Sequence, residues 1–595
     1  MLREWIVTLY DRNQLDDFYD DMQTPGGALY IPDRAVDVSA QRPTSRNTHY
    51  MLTYEEAMLV KNDERVWGVE LYDIVVNSLR PLGYKIDEGV FSKNVFTSGP
   101  ALSQVDVNWG LLRQNRNTPP ANWGFDNFLP QDPNNANAAE SELLAADNNV
   151  IVTASGRNVD VLIVDEHLDQ THPEFAANRD GSGGTRCVAY NWFQNDVGFG
   201  TGTYQYGLAN QSNHGTHVGG IAAGNNQGWA RDANVYSLGA FPSTANWGVC
   251  GYDDTTMWDY VRAWHNSKPI NPVTGRKNPT VSNHSYGAFL SVGQGNFSQI
   301  YAATYRGVRY APGRALTVAE LQARGFKTSS QSFGFQNYSI SQQADLQDAM
   351  ADGIIVCTAA GNEGWKQVQE GHVDYNNEFE VTYLPTGQTY KNYYQRGGGG
   401  RSGQAYAPVL VVGSVGTWKE EYKSDFSNCG NGVDVFAVGS TVQSSVHAGG
   451  YFGTIQDPRS GGAHYLAKTQ GTSMATPQVA GMLACLAETW PNMTQAQAHQ
   501  WIIDFSTKDA LSDTGTDDAM DEQSLQGAPN RFAKWINQRP IGRTMFPPRN
   551  FRPRTLNGDP IPSNWSANAL LAGDDPPPAT VGRRVYPRPR IRRRG

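Results

Sequence analysis

From about residue 158 to 540 the chain alternates short apolar runs with amphipathic stretches. Val159-Asp-Val-Leu-Ile-Val164 is almost continuously apolar, the pattern of a parallel strand covered on both faces. The same reading predicts strands at 235–241, 280–285, 353–358, 409–415 and 433–438. Helices are predicted at 214–224, 255–265, 341–352, 473–488 and 494–505. Strand and helix taking turns in this way predict an α/β, doubly wound, mostly parallel sheet with helices on both faces. Two irregular stretches, 288–340 and 365–407, break the alternation and are expected to be insertions. The run Gly397-Gly-Gly-Gly400 has no phosphate-loop spacing and no helix after it, so a flexible surface loop is expected there.

Ahead of this domain the pattern differs. Strands are predicted at 6–10, 35–39 and 66–71, with helices at 14–22 and 53–61. The first helix has Leu15, Phe18, Tyr19 and Met22 as its apolar positions; the second opens on the capping-box pattern Thr53-Tyr-Glu-Glu56. The order β-α-β-α-β predicts a small ferredoxin-like α+β domain over 1–75. Residues 76–157 are weakly periodic and rich in Asn, Pro and Gly, and read as a connector and lead-in. The expected organisation is 1–75, 76–157, 158–542 and 543–595, the last an Arg/Pro-rich segment not expected to fold.

Charge sharpens that division. The formal net charge is −10, yet 543–595 hold eleven Arg, no Lys and three Asp, a net +8 that leaves −18 on the rest. An anionic surface or nucleic acid is therefore expected to meet the tail and not the acidic body. The five Cys form no C-x-x-C pair, and an odd number describes no disulfide framework. Cys357 and Cys485 lie in apolar runs and are expected to be buried. No run of about 18 apolar residues is present, so no membrane span is expected. The first residues lack the apolar core of a signal peptide, so an intracellular or particle-associated location is expected.

Three segments carry chemistry. In Gly471-Thr-Ser473-Met-Ala-Thr-Pro477-Gln-Val-Ala-Gly481, small residues precede Ser473 and an apolar helix follows it. A serine there faces the positive end of the helix dipole, where an oxyanion is stabilised; a lone N-cap serine is the plain alternative. In Asn213-His214-Gly-Thr-His217-Val-Gly-Gly-Ile-Ala-Ala-Gly224, His214 opens a helix of small residues able to pack closely on a neighbour. A neutral imidazole there can take a hydroxyl proton. The alternatives are a core histidine or an H-x-x-H metal pair, the latter lacking the Glu of H-E-x-x-H. Asp165 ends the apolar strand, at the edge where α/β sheets place their sites, though strand-end Asp residues are also ordinary.

Together these segments resemble the subtilisin-like (subtilase) family of serine peptidases over roughly 158–535. The order Asp…His…Ser is that family's, distinct from the chymotrypsin and α/β-hydrolase orders. The resemblance implies a serine endopeptidase acting through an acyl-enzyme, with Asp165, His214 and Ser473 as triad. Ala359-Ala-Gly-Asn362-Glu-Gly364 is similar to the oxyanion segment, which implies that role for Asn362. Val281-Ser-Asn-His-Ser285-Tyr-Gly287 is similar to the substrate-pairing strand. Ser285, Tyr286, Gly287, Ala359, Ala360 and Gly361 are thereby expected at the substrate, with Tyr286 and the two alanines lining an apolar pocket. Gln526-Gly-Ala-Pro-Asn530 resembles a segment near the family's domain end. The unit 1–75 resembles the inhibitor-like propeptide of many subtilases, with Asn62-Asp-Glu-Arg-Val66-Trp-Gly-Val-Glu70 similar to its last helix-to-strand segment. Asn108-Trp-Gly-Leu-Leu112 is similar to a segment near the start of mature chains. The partners so implied are peptide substrates and the chain's own N-terminal unit as inhibitor. No cofactor is expected for the chemistry; structural calcium fits the resemblance, but no loop names its ligands.

The chain also departs from the pattern. Glu166-His167 follows Asp165 where Thr/Ser-Gly is usual, Gly219 stands where Ala is usual, and the intervals from 214 to 362 and from 362 to 473 are long. The absent leader and the Arg/Pro tail leave a second function open: a structural or particle-associated binding protein on a protease scaffold.

Overall fold

A computed structural model describes residues 2–31, 45–72, 79–81, 108–115, 152, 154–189, 213–239, 254–293, 298–327, 332–336, 340–384, 387–396, 409–416, 421–447, 454–515 and 523–536. The expected strand at 35–39, most of the connector, the Gly397–Gly400 run, Cys250 and the tail from 543 lie outside the described residues.

The main sheet has nine strands. From one edge to the other they are Thr507–Lys508, Arg531–Phe532, Val435–Val438, Leu410–Val415, Ile355–Ala359, Thr280–His284, Asp160–Asp165, Asn234–Gly239 and Cys187–Ala189. All neighbours pair in parallel except Thr507–Lys508 with Arg531–Phe532. The mostly parallel sheet flanked by helices agrees with the alternation read from the sequence. After Asp160–Asp165 the chain first builds outward to one side and then, with Thr280–His284, to the other. That strand is thus the topological switch point, where the carboxyl edge of an open sheet leaves a crevice.

All six residues of Asp160–Asp165 are buried, as expected for a strand sandwiched by helices. One face meets Asn213–Ala223 and Thr472–Thr489, with Val161, Ile163, Val218, Ile221, Val479 and Leu483 in one cluster. The other meets Asp254–Ser267 and Ile340–Ala351 through Leu162, Val164, Trp258, Val261 and Leu346. Burying side chains of this size contributes about 1.5–3 kcal/mol each. Cys187, Cys357, Cys429 and Cys485 are free thiols inside the protein.

The two stretches expected to be irregular instead supply strands of a common sheet, in the order Val308–Tyr310, Ser298–Tyr305, Glu378–Tyr383, Gln388–Tyr393, all antiparallel. Its own core holds Ile300, Phe326, Trp365, Phe379, Val381 and Tyr394. The first stretch also extends the segment after Ser285 into a strand, Tyr286–Gly293, paired with Ser332–Gln336.

In the N-terminal unit Arg3–Leu9 is the middle strand, antiparallel to Asn47–Leu52 and Val66–Leu71. The described residues thus give three strands with the helices Leu15–Gln23 and Tyr54–Lys61. Leu15, Phe18 and Met22 are buried with Tyr19 half-buried beside them, and Thr53 and Glu56 form the expected capping box. This unit docks on Ile340–Ala351. Both oxygens of Glu70 accept from that helix's first N–H groups, Ile340 at 3.1 Å and Ser341 at 2.8 Å. Arg46 pairs with Asp348 at 3.0 Å and donates to the Ala344 carbonyl at 3.1 Å, while Asn47 donates to Asp345 at 2.9 Å.

Candidate active site

Asp165 closes its strand at the carboxyl edge, with only about 1% of its side chain exposed. Its Oδ1 accepts from the backbone N–H of Glu166 at 2.8 Å and from His214 Nδ1 at 2.7 Å. The unusual Glu166 therefore leaves the carboxylate anchored by a local turn. His167 is buried beside Gly239, where a Cβ would strike the ring, and burial lowers its pKa to about 4.

His214 sits in the first turn of its helix, which approaches the Asp165 strand so closely that a Cβ on Gly215 would collide with the Glu166 carbonyl. Burial on its own lowers the imidazole pKa, but the charge of Asp165, its hydrogen bond and the charge of Glu166 outweigh this, so the pKa is raised. His217, the other member of the H-x-x-H pair, has Nε2 3.1 Å from the Ala467 carbonyl, and burial lowers its pKa to about 3. It is a core histidine. Among the described residues no group of three or more His, Cys, Asp or Glu is arranged to hold a metal ion, so no calcium site is assigned.

Ser473 is the second residue of Thr472–Thr489, which packs along the His214 helix with Ala222 against Gly481. The Ser473 hydroxyl donates to the Ser285 carbonyl at 3.2 Å, and the Ser285 hydroxyl donates to the Ser473 carbonyl at 3.0 Å. Asn283 holds Ser285 in turn, its amide donating to Oγ at 2.9 Å. Deeper in the serine helix, Gln478 exchanges hydrogen bonds with Asn108 at 2.9 and 2.7 Å and accepts from Trp229 at 2.7 Å. The lead-in around Asn108 and Trp109 is thereby fixed to the helix that carries Ser473.

Asn362 follows Gly361, whose φ of 110° suits glycine. Its amide oxygen accepts from the backbone N–H and the hydroxyl of Thr472, both at 2.8 Å. With the oxygen committed to the residue before Ser473, the NH₂ group lies on the opposite side of the amide. Asn428 braces this turn: it donates to the Ala360 carbonyl at 2.7 Å and accepts from Trp365 N–H at 2.8 Å. Neither Asn283 nor Asn428 stood out in the sequence. Asn283 lies inside the quoted strand motif two residues before Ser285, a spacing that puts both on one face; Asn428 has no such marker.

Of the expected substrate residues, Ala359, Ala360 and Gly361 follow one another at the end of Ile355–Ala359 and the turn beyond it. Tyr286 differs from expectation in its side chain. The ring is buried in the cluster with Met257 and Trp258, and its hydroxyl lies 2.8 Å from His284 Nδ1. A phenol hydrogen-bonded to a buried imidazole is held inward, so Tyr286 offers its backbone along the strand edge and its ring to the core.

A doubly wound sheet with a carboxylate-held imidazole and a helix-borne serine at its carboxyl edge belongs to the class of serine-type endopeptidases. The model of the subtilase family matches residues 156–525, and the chain belongs to that family. It is similar to subtilisin of Bacillus pumilus, 26% identical over 354 residues, which span 59% of this chain and 85% of that one. The figures for subtilisin E of Bacillus subtilis (strain 168) are 26% over 354 residues, 59% of this chain and 61% of the relative. Against the crystal structure of fervidolysin from Fervidobacterium pennivorans, a keratinolytic enzyme related to subtilisin, the TM-score is 0.46 at 18% identity, covering 90% of this chain and 60% of that one.

Proposed function

We propose that this chain hydrolyses peptide bonds through Asp165, His214 and Ser473, by way of an acyl-enzyme. The observation that carries it is the buried 2.7 Å bond from His214 Nδ1 to Asp165. It assigns the ring tautomer and directs Nε2 away from the carboxylate. The Ser473 hydroxyl turns from the Ser285 carbonyl to Nε2 and gives up its proton as Oγ attacks the substrate carbonyl. The oxyanion meets the Ser473 backbone N–H at the helix N-terminus and the Asn362 amide. Protonated His214 then hands its proton to the leaving amine, and water releases the acyl group by the same route reversed. Asp165 stays ionised and stabilises the imidazolium.

Substrates lie as an added strand along Ser285-Tyr-Gly287, next to Ala359, Ala360 and Gly361, a mode in which backbone bonds supply affinity. The N-terminal unit, a ferredoxin-like inhibitor in this reading, covers the cleft until it is cut away. Its grip on Ile340–Ala351 through Glu70 and Arg46 supports that role. In the same reading 76–157 link it to a peptidase domain over 158–542, and the tail 543–595 binds anionic surfaces. The test is labelling of the purified chain by a fluorophosphonate, with peptide mapping of the label. Label on Ser473 supports the reading; a folded chain freed of residues 1–75 that stays unlabelled refutes it and favours a scaffold role.

A further inference from the structure

A groove of about 1440 Å³ lies between the N-terminal unit and the antiparallel sheet that ends on Gln388–Tyr393. Its floor is the helix Ile340–Ala351, which it meets at Ile340 and Gln347. The N-terminal unit supplies one wall. Tyr10 and Trp67 stand there beside Tyr54, Met58 and Lys61, whose spacing puts them on one face of the helix Tyr54–Lys61. The other wall comes from the second insertion and includes Glu370, Tyr375 and Lys391. Asp165, His214 and Ser473 do not line this groove. It is larger than the roughly 300–1,000 Å³ of a small-molecule site, so it suits a length of polymer.

The lining joins apolar rings to hydrogen-bond donors. Tyr10 is 58% exposed and Tyr54 37%, while Trp67 and Tyr375 are half-buried. Each of these rings carries an O–H or N–H at its tip. Two of them are held before anything binds. Trp67 stacks on Tyr10, centroids 6.1 Å apart, with the Arg46 guanidinium 5.5 Å from its ring, and Arg46 is itself anchored by Asp348 at 3.0 Å. Tyr375 has the Arg396 guanidinium 4.2 Å from its ring, and its carbonyl accepts from Arg396 Nε at 3.1 Å. Groups already fixed lose little freedom on binding. The charges balance as well. Arg46, Lys391 and Glu380 are taken up by Asp348, Glu378 and Arg309, and Glu70 caps the helix of the floor. Lys61 and Glu370 stand one on each wall, with no ion pair among the described residues. Such a lining has no net field to draw a nucleic acid or another polyanion.

Rings with donor tips and a balanced charge are complementary to one kind of chain. Proline has no N–H, so a proline-rich segment offers carbonyl acceptors and asks for few acceptors in return. In the polyproline II form those carbonyls make no internal bonds, and the proline rings lie against aromatic faces. Trp67 and Lys61 can only donate, and the three tyrosine hydroxyls donate too. We infer that this groove is a binding site for a proline-rich polypeptide segment of low net charge, held in the polyproline II conformation and supplied by another protein. Because the walls belong to two units, the bound segment bridges the N-terminal unit and the second insertion. The site lies apart from the triad and holds whether or not Ser473 reacts.

The experiment titrates the full Ser473→Ala chain, in which nothing is hydrolysed, into a fluorescently labelled peptide Leu-Pro-Pro-Leu-Pro-Pro-Leu and follows anisotropy. Saturable binding is expected, with Leu-Ala-Ala-Leu-Ala-Ala-Leu at least tenfold weaker. Trp67→Ala and Tyr375→Ala, one from each wall, are each expected to weaken binding at least tenfold in chains whose melting is checked first. Tyr54→Phe keeps its ring and loses only an exposed hydroxyl, so it tests the donor without disturbing the fold; it is expected to weaken binding roughly two- to tenfold. No saturable binding below about 1 mM, equal binding of the alanine peptide, or unchanged affinity in the folded wall variants overturns the inference. Displacement of the peptide by a soluble cello-oligosaccharide also overturns it and reassigns the groove to sugars. None of these outcomes touches the peptidase reading, which stands or falls on the label at Ser473 in the wild-type chain.

Discussion

Ser285 and Ser473 hold each other by reciprocal hydrogen bonds, hydroxyl to carbonyl in both directions, at 3.0 and 3.2 Å. The strand edge and the serine helix are therefore registered against each other by a pair of side chains, and Asn283 steadies the pair from behind. A single neutral hydrogen bond contributes about 0.5–1.5 kcal/mol. Ser285→Ala is expected to lower kcat/KM by roughly two- to tenfold while fluorophosphonate labelling persists, because Ser285 positions the serine and does not exchange protons with it. Loss of all labelling in the folded variant would show that the pair does more than this.

Ser473→Ala and His214→Ala are each expected to remove nearly all peptide hydrolysis, since nucleophile and base act as one unit and the loss of either leaves little for the other to do. Both variants should keep the wild-type thermal transition to within a few degrees. Labelling of folded Ser473→Ala at the wild-type level would place the nucleophile elsewhere.

Asn362→Leu separates oxyanion stabilisation from packing. Removal of one such donor costs about 10²–10³ in turnover, a magnitude taken from subtilisin and not from this geometry. The same substitution also releases Thr472, whose N–H and hydroxyl both bond Asn362. The readout is therefore kcat at unchanged KM, in a variant whose melting is checked first. Wild-type turnover would exclude the role.

The departure at Glu166 gives a test by pH. His214 must be neutral to accept the serine proton, so the acid limb of kcat/KM follows its deprotonation. Burial depresses that pKa, but Asp165 and then Glu166 stabilise the imidazolium and raise it above the ordinary value. The sign is fixed: Glu166→Gln removes a negative charge, lowers the His214 pKa and moves the acid limb to lower pH. A profile that stays in place, or moves to higher pH, would show that Glu166 does not act on His214.

What the sequence disclosed and what it hid divide along physical lines. The strands around Asp165 are buried on both faces, so their apolar runs stand out, and the Ser473 and His214 helices show themselves by small residues that permit close packing, as Gly215, Gly220 and Gly481 do. The strand Gln388–Tyr393 alternates half-buried and exposed positions over its first four residues on a short accessory sheet, and its polar residues read as loop. Its partner Glu378–Tyr383 pairs on the other side with Ser298–Tyr305, more than seventy residues earlier, a pairing no local pattern announces. The ring of Tyr286 turns inward because His284 and Met257 offer its hydroxyl partners from the core side. The capping of Ile340 and Ser341 by Glu70 joins residues some 270 apart, and nothing in either segment names the other.

That distant cap leads to the last prediction. A helix N-terminus carries unsatisfied N–H groups and a partial positive charge, and Glu70 answers both with one carboxylate. Arg46 adds a charged clasp to Asp348 further along the same helix. If the N-terminal unit is an inhibitor, it stays on the cleft after self-cleavage for as long as these contacts hold. A charge-assisted hydrogen bond contributes about 1.5–3 kcal/mol, so Glu70→Ala is expected to weaken retention by at least tenfold. The processed wild-type chain should carry the N-terminal fragment through gel filtration with peptide hydrolysis held low; processed Glu70→Ala should shed the fragment and hydrolyse faster. Arg46→Ala should act in the same direction, and added salt should narrow its difference from wild type, because salt screens a partly exposed ion pair. A processed Glu70→Ala chain that retains the fragment and its low activity would show that the cap orders the helix without contributing to inhibition.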